Sequence, residues 1–114
     1  MVVKRKIMST EIRQNLKGGV GDISFVYMAD KSQMKNCRLM SEMTVPVGAS
    51  IGRHTHLNET EFYIVLDGKG QAIDNGSEYI VEAGDLIMTS DGESHELHNI
   101  GKVPLRIIAI IVTY

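Results

Sequence analysis

The chain has 114 residues, of which 43% are hydrophobic and 23% charged, and a formal charge of −2. That length suits one domain with a single core, and the near-neutral charge gives no electrostatic case for nucleic acid or an anionic membrane as a partner. Cys37 is the only cysteine, so an intramolecular disulfide is excluded and nothing points to an oxidising compartment.

Residues 1–22 are the least patterned and are set apart as an N-terminal segment of strand or loop with a role in dimer contact; residues 23–114 form the main domain. The first basic residues lead into no apolar stretch, so a signal peptide is not expected. The longest apolar run, Ile107 to Val112, is far too short to span a membrane, and a cytoplasmic location is expected. Glu11 to Leu16 suits a helical turn. Lys17-Gly18-Gly19-Val20-Gly21 ends it as a flexible connection, because it lacks the Lys-Ser/Thr ending and following helix of a phosphate loop.

From Ile23 the pattern predicts strands over 23–29, 37–45, 51–56, 60–66, 69–74, 77–82, 86–89, 94–99 and 104–113. They are separated by turn signals such as Asp67-Gly68, Ala83-Gly84-Asp85 and Ser90-Asp91-Gly92. Asn75-Gly76 predicts a tight hairpin, and Asp30 to Asn36 a second helical turn. Many short strands at close spacing imply an all-β sandwich or barrel. The last strand is apolar on both faces and is taken as an edge that a second subunit covers. Most of Met28, Met40, Met43 and Met88 are expected as core filler.

The four histidines form two pairs, His54-Thr55-His56 and His95-Glu96-Leu97-His98. Alternation along a strand puts His54 and His56 on one face. On the next strand Glu61, Tyr63 and Val65 share a face, with Phe62, Ile64 and Leu66 opposite. Both faces are largely apolar, which fits a strand covered on both sides. A carboxylate there is costly to bury unless a cation compensates it. His95, Leu97 and Asn99 lie together, and His98 points away with Glu96. Imidazole nitrogen and carboxylate oxygen together suit Mn, Fe, Co, Ni or Zn. Four such ligands leave two open positions on an octahedral ion but close a tetrahedral zinc site, which favours Mn, Fe, Ni or Co for catalysis.

Two segments resemble the paired motifs of the cupin superfamily. In the first, Gly48 is followed by five residues, His54-Thr55-His56, four residues, Glu61, six residues and Gly68. In the second, Gly84 is followed by five residues, Ser90-Asp91-Gly92, two residues, His95, three residues and Asn99. Ser90 stands where the family has a proline, which puts the rigidity of that turn in question but not the ligands. The resemblance implies a double-stranded β-helix, a small jelly-roll-like β-barrel. It also implies one divalent metal on His54, His56, Glu61 and His95, and a homodimer. The metal motifs look like those of oxalate-decarboxylase-like members, and the family also includes dioxygenases and isomerases. A small carboxylate, enediol or sugar-like substrate is therefore expected; the alternative is a module that binds a metabolite or sugar without turnover.

Tyr63, Glu93 and Glu59 are the candidate catalytic residues. Tyr63 either packs the core or lines the cavity. Glu59 lies nearer the turn and off the family spacing, so a solvated role is expected. Arg38 and Arg106 could each hold a substrate carboxylate, but an outward, solvated side chain is the expectation for both. Arg53 is expected to face away from the histidine pair, and Asn99 to shape the end of its strand.

Overall fold

The computed structural model describes all 114 residues. Ten strands run as β1 (Ser9–Gln14), β2 (Asp22–Tyr27), β3 (Cys37–Val45), β4 (Ser50–Thr55), β5 (Glu59–Asp67), β6 (Lys69–Asp74), β7 (Ser77–Glu82), β8 (Leu86–Thr89), β9 (Ser94–Asn99) and β10 (Leu105–Thr113), with three short 3₁₀ turns and no α-helix. The all-β expectation holds. One sheet has the order β1-β2-β3-β10-β5-β8 and the other β4-β9-β6-β7, and every pairing is antiparallel.

Period-2 alternation builds the core between the sheets. On β10, Leu105, Ile107, Ala109 and Ile111 are buried, and they meet Val45 and Met43 of β3, Tyr63 and Val65 of β5, and Leu97 of β9 in one cluster that leaves out only Ile111. Each fully buried Leu, Ile or Val of this kind contributes roughly 1.5–3 kcal/mol relative to exposure. Asn75 (φ 49°) and Gly76 (φ 88°) are both left-handed and lie between the paired Asp74 and Ser77. That is the two-residue hairpin their identity predicts. The second helical turn is also present, as a 3₁₀ turn at Lys31–Gln33 capped by Asp30.

Several expectations are corrected. Glu11 to Gln14 belong to β1, with Glu11 opposite Phe25 and Arg13 opposite Ile23; pairing with β2 overrides a weak local preference for helix. The glycine run at 17–21 is docked, not loose. Val20 N donates to Ser50 Oγ, Ser50 N donates to Val20 O, and Asn15 N donates to Gly21 O. A Cβ on Gly52 would lie 2.1 Å from the Lys17 carbonyl oxygen, and one on Gly19 would lie 2.2 Å from that of Ser50, so two glycines permit this backbone contact.

β10 is central, bonded to both β3 and β5, and is not the expected edge strand. The uncovered surface is the outer face of the six-stranded sheet. There Phe62, Ile64, Ile108 and Ile110 are half-buried and Leu86 and Met88 are exposed, so β5 is covered on one face only. Among the methionines on strands Met43 fills the core, whereas Met88 does not. On the same outer face Arg106 is not simply solvated. Its guanidinium and that of Arg5 converge on the buried Glu42 carboxylate, at 2.9 and 2.5 Å.

Candidate metal centre

The two sheets face each other across His54, His56, Glu61 and His95, whose ligand atoms all lie within 4.8 Å of one another. β4 carries His54 and ends one residue before His56, β9 brings His95 directly opposite His54, and β5 supplies Glu61 from the other sheet. The Nε2 atom of His95 is 3.0 Å from those of both His54 and His56. Glu61 Oε1 lies 2.9 Å from the Nε2 of His56, 2.9 Å from that of His95 and 3.6 Å from that of His54.

The backs of the three rings determine what the fronts can do. His54 Nδ1 is 2.8 Å from the Gly52 carbonyl oxygen, which only accepts. His56 Nδ1 is 2.5 Å from a Glu59 carboxylate oxygen. His95 Nδ1 is 2.7 Å from the Thr89 hydroxyl, whose proton is donated to Asp74 at 2.7 Å, so its oxygen accepts from His95. Each Nδ1 therefore carries the proton, and each neutral ring turns a bare Nε2 lone pair inward. Three lone pairs and a carboxylate oxygen then meet in a buried space, and Glu61 Oε1 has no hydrogen-bond partner there. Such a cluster of acceptors is unfavourable unless a cation sits among them. Nitrogen and carboxylate donors of this kind suit a divalent transition metal, so the residues fit the ion.

The ionisation of the site follows the same logic. Burial alone would push the Glu61 carboxyl up; imidazoles that carried a proton on Nε2 would outweigh it and hold the group below its ordinary value, and with the Nε2 lone pairs bare a cation has to supply that compensation. Burial opposes charge on His56, yet the carboxylates of Glu61 and Glu59 prevail and raise it. On His95 burial wins and lowers it. Arg38 is the main cause that holds Glu59 at about 2. Tyr63 stacks on His95 with ring centroids 4.7 Å apart. Its burial and the nearby Glu61 charge push the phenol well above its usual range, so it remains a donor.

A cavity of about 270 Å³ opens over the centre, with His54, His56, Glu59, Glu61 and Tyr63 in its walls. A larger groove of about 660 Å³ between the first nine residues and β2–β3 contains none of the ligands, although Tyr27, Arg38 and Leu39 border both spaces. Tyr63 thus both packs and lines. Glu59 is buried, contrary to the expected solvation, because Arg38 grips it through two 2.7 Å hydrogen bonds while His56 donates to it. Arg38 borders the cavity while about half of its side chain stays exposed. The β3–β10 register shifts between Ile111 (opposite Leu39) and Val112 (opposite Cys37), which leaves Arg38 as the extra residue of a bulge and breaks the alternation.

Other candidates lie outside the cavity. Glu93 accepts from Ser90 N at 2.8 Å and its own N–H returns to Ser90 O. That clasp needs an N–H at position 90, so serine secures the turn by a bond that proline lacks. His98 pairs with Glu96 on the far face and Arg53 is exposed, both as expected. Asn99 closes the end of β9 through Val45 O, Val103 O and Gly101 N. The spacing of Glu59 three residues after His56 hinted at their contact. No local signal pointed to Thr89, Asp74 or the Gly52 carbonyl.

A two-sheet β-barrel with three histidines and a glutamate converging inside it defines a cupin. The family model for the cupin domain matches residues 41–111, and the chain belongs to that family. It is 37% identical over 113 residues to the oxalate-binding protein of Thermotoga maritima, covering 98% of this chain and 93% of that one. A crystal structure of a predicted oxalate decarboxylase from the same organism superposes with a TM-score of 0.95 at 36% identity, over the whole of both chains. A cupin-superfamily sugar phosphate isomerase from Silicibacter pomeroyi shares the fold alone, with a TM-score of 0.81 at 17% identity over 100% of this chain and 76% of that one.

Proposed function

We propose that this protein is a small metalloenzyme. His54, His56, Glu61 and His95 hold one divalent ion, and the substrate is a small carboxylate, enediol or sugar-like molecule. The observation that carries this is the orphaned Glu61 oxygen facing three Nε2 lone pairs. Manganese, iron, nickel or cobalt is favoured over zinc, because four protein ligands leave such ions room for a substrate. When bound, the ion supplies a Lewis-acid or redox centre for a decarboxylase, dioxygenase or isomerase type of reaction. The chain's own part is to position and protonate. Tyr63 keeps its proton beside the site, and Glu59, already bonded to Arg38 and His56, orients a ligand in preference to shuttling a proton. Glu93 is committed to its turn.

The first test is elemental analysis with melting temperature before and after chelation. One equivalent of a divalent transition metal, lost on chelation together with thermal stability, is expected, and His56→Ala should abolish it while His98→Ala should not. An unchanged metal content in His56→Ala would overturn the site. The alternative, a binding module without turnover, is favoured by the name of the Thermotoga maritima oxalate-binding relative; tight binding of a candidate acid with no product formed would select it.

The protein works as a cytoplasmic homodimer in this reading. The apolar outer face around Phe62, Ile64, Leu86, Met88 and Ile110 supports a partner subunit, and the N-terminal 22 residues contribute to the contact. Sedimentation of the wild type against Met88→Lys tests it, with dimer expected for the first and monomer for the second. No helix is long and apolar enough to cross a membrane.

A further inference from the structure

The two sheets part along one side of the barrel. β7 is an edge of the four-stranded sheet and β8 an edge of the six-stranded one, and the two strands do not pair. Between them lies a cleft of about 380 Å³ that shares no lining residue with the metal cavity. The buried Ala72, Val81 and Ile87 and the exposed ring of Tyr79 belong to its walls. Its only charged lining residues are Asp74 and Asp85, and neither takes part in an ion pair.

These two carboxylates stand at opposite ends of β8. Asp85 immediately precedes the strand, and Asp74 accepts from the Thr89 hydroxyl at its last residue. The run from Asp85 to Thr89 measures about 13 Å at the rise of an extended chain. Each carboxylate is oriented by one bond and keeps its second oxygen free. Thr89 donates to Oδ1 of Asp74, and the Glu82 N–H donates to Oδ2 of Asp85. An apolar solute would strip water from both acids without replacing it, and a single cation would compensate only one. A chain with an apolar middle and a positive charge at each end matches the whole cleft.

We propose that the cleft between β7 and β8 binds a linear diamine, with one ammonium group on Asp74, the other on Asp85, and the alkyl chain along the apolar wall. This site is separate from the metal centre and does not depend on it.

Calorimetric titration of the purified protein at fixed salt tests the site. Putrescine, hexamethylenediamine and octamethylenediamine are compared with hexylamine and hexanediol. One diamine length should bind best, at one per chain and about fivefold more tightly than hexylamine, the upper end for an ion pair open to solvent. Hexanediol should bind more weakly than either. Asp74→Asn and Asp85→Asn keep an oxygen to accept from Thr89 or from the Glu82 N–H, so both should fold, with unchanged melting temperatures as the check. Each should lower the diamine to the affinity of hexylamine. Glu78→Gln removes the same charge from β7 outside the cleft and should leave binding unchanged. Equal losses in all three variants would mean diffuse attraction to an acidic surface and would overturn the proposal. A wild type that does not distinguish diamines from hexylamine overturns it, and so does one that binds no diamine because a second subunit fills the cleft.

Discussion

Glu59 Oε2 lies 2.5 Å from His56 Nδ1, on the side of the ring away from the other ligands, while Arg38 grips the same carboxylate. This carboxylate fixes the tautomer and the orientation of His56 together. Partners of this kind behind a metal-bound histidine are typically worth 10–100-fold in metal affinity. Glu59→Gln should therefore fold normally and retain one ion at saturation, but release it to a competing chelator at roughly 10–100-fold lower chelator activity. Chelator competition monitored by elemental analysis checks this.

Thr89 has the same role behind His95, and it is wholly buried. Thr89→Val keeps the shape and removes the hydroxyl, leaving the His95 Nδ1 proton and the Asp74 oxygen without this partner. Stranding buried polar groups costs about 1–3 kcal/mol each. Denaturant unfolding of the metal-free protein should show a loss of that order, with the slope unchanged.

Gly52 serves the site twice. Its carbonyl orients His54, and its missing side chain lets the Lys17 backbone approach β4. Gly52→Ala sets a Cβ against backbone atoms that cannot swing aside, so the 15–21 loop must lift. An overpacking cost of about 1–3 kcal/mol is expected, together with faster amide exchange at Val20 and Ser50, whose N–H groups now bond across this junction.

Glu42 makes one acid-sensitive contribution to stability through its ion pairs. Arg5 is the largest cause of its lowered pKa, with Arg106 contributing. A carboxyl depressed in the folded state stabilises fully above its unfolded value of about 4.3 and loses that contribution as the pH falls through the lower folded value. Wild type should therefore be more stable than Glu42→Gln at pH 7, by about 1 kcal/mol for a pair open to solvent on one side. The gap should shrink steadily below about pH 4. Melting temperatures of the two proteins across pH 2.5–7 (about the range over which a carboxyl titrates) measure it. A gap that does not change with pH would remove Glu42 from the account.

The sequence by itself determined the strand pattern from Ile23 onward, the Asn75-Gly76 hairpin and the face shared by Glu61 and Tyr63. It also determined the parity that turns His98 away. All of these follow from interactions within a few residues: alternation has a fixed period of two, and turn chemistry is local. The motif spacing also nominated the four ligands, which the structure gathers within 4.8 Å. What only the tertiary structure decided is everything that depends on which strand lies beside which. β10 lies between β3 and β5 instead of at an edge, with Leu105, Ile107, Ala109 and Ile111 buried and Ile108 and Ile110 on the uncovered outer face. Residues 9–14 became strand because β2 offered a partner. Arg38 entered the cavity through a bulge that is defined only by pairing with β10. Glu59 is buried because an arginine 21 residues away reaches it. Thr89 and Asp74 fix the His95 tautomer through contacts between separate strands. An isolated carboxylate, hydroxyl or arginine in a sequence carries no record of its partner, and the partner decides whether burial is tolerated and what chemistry follows.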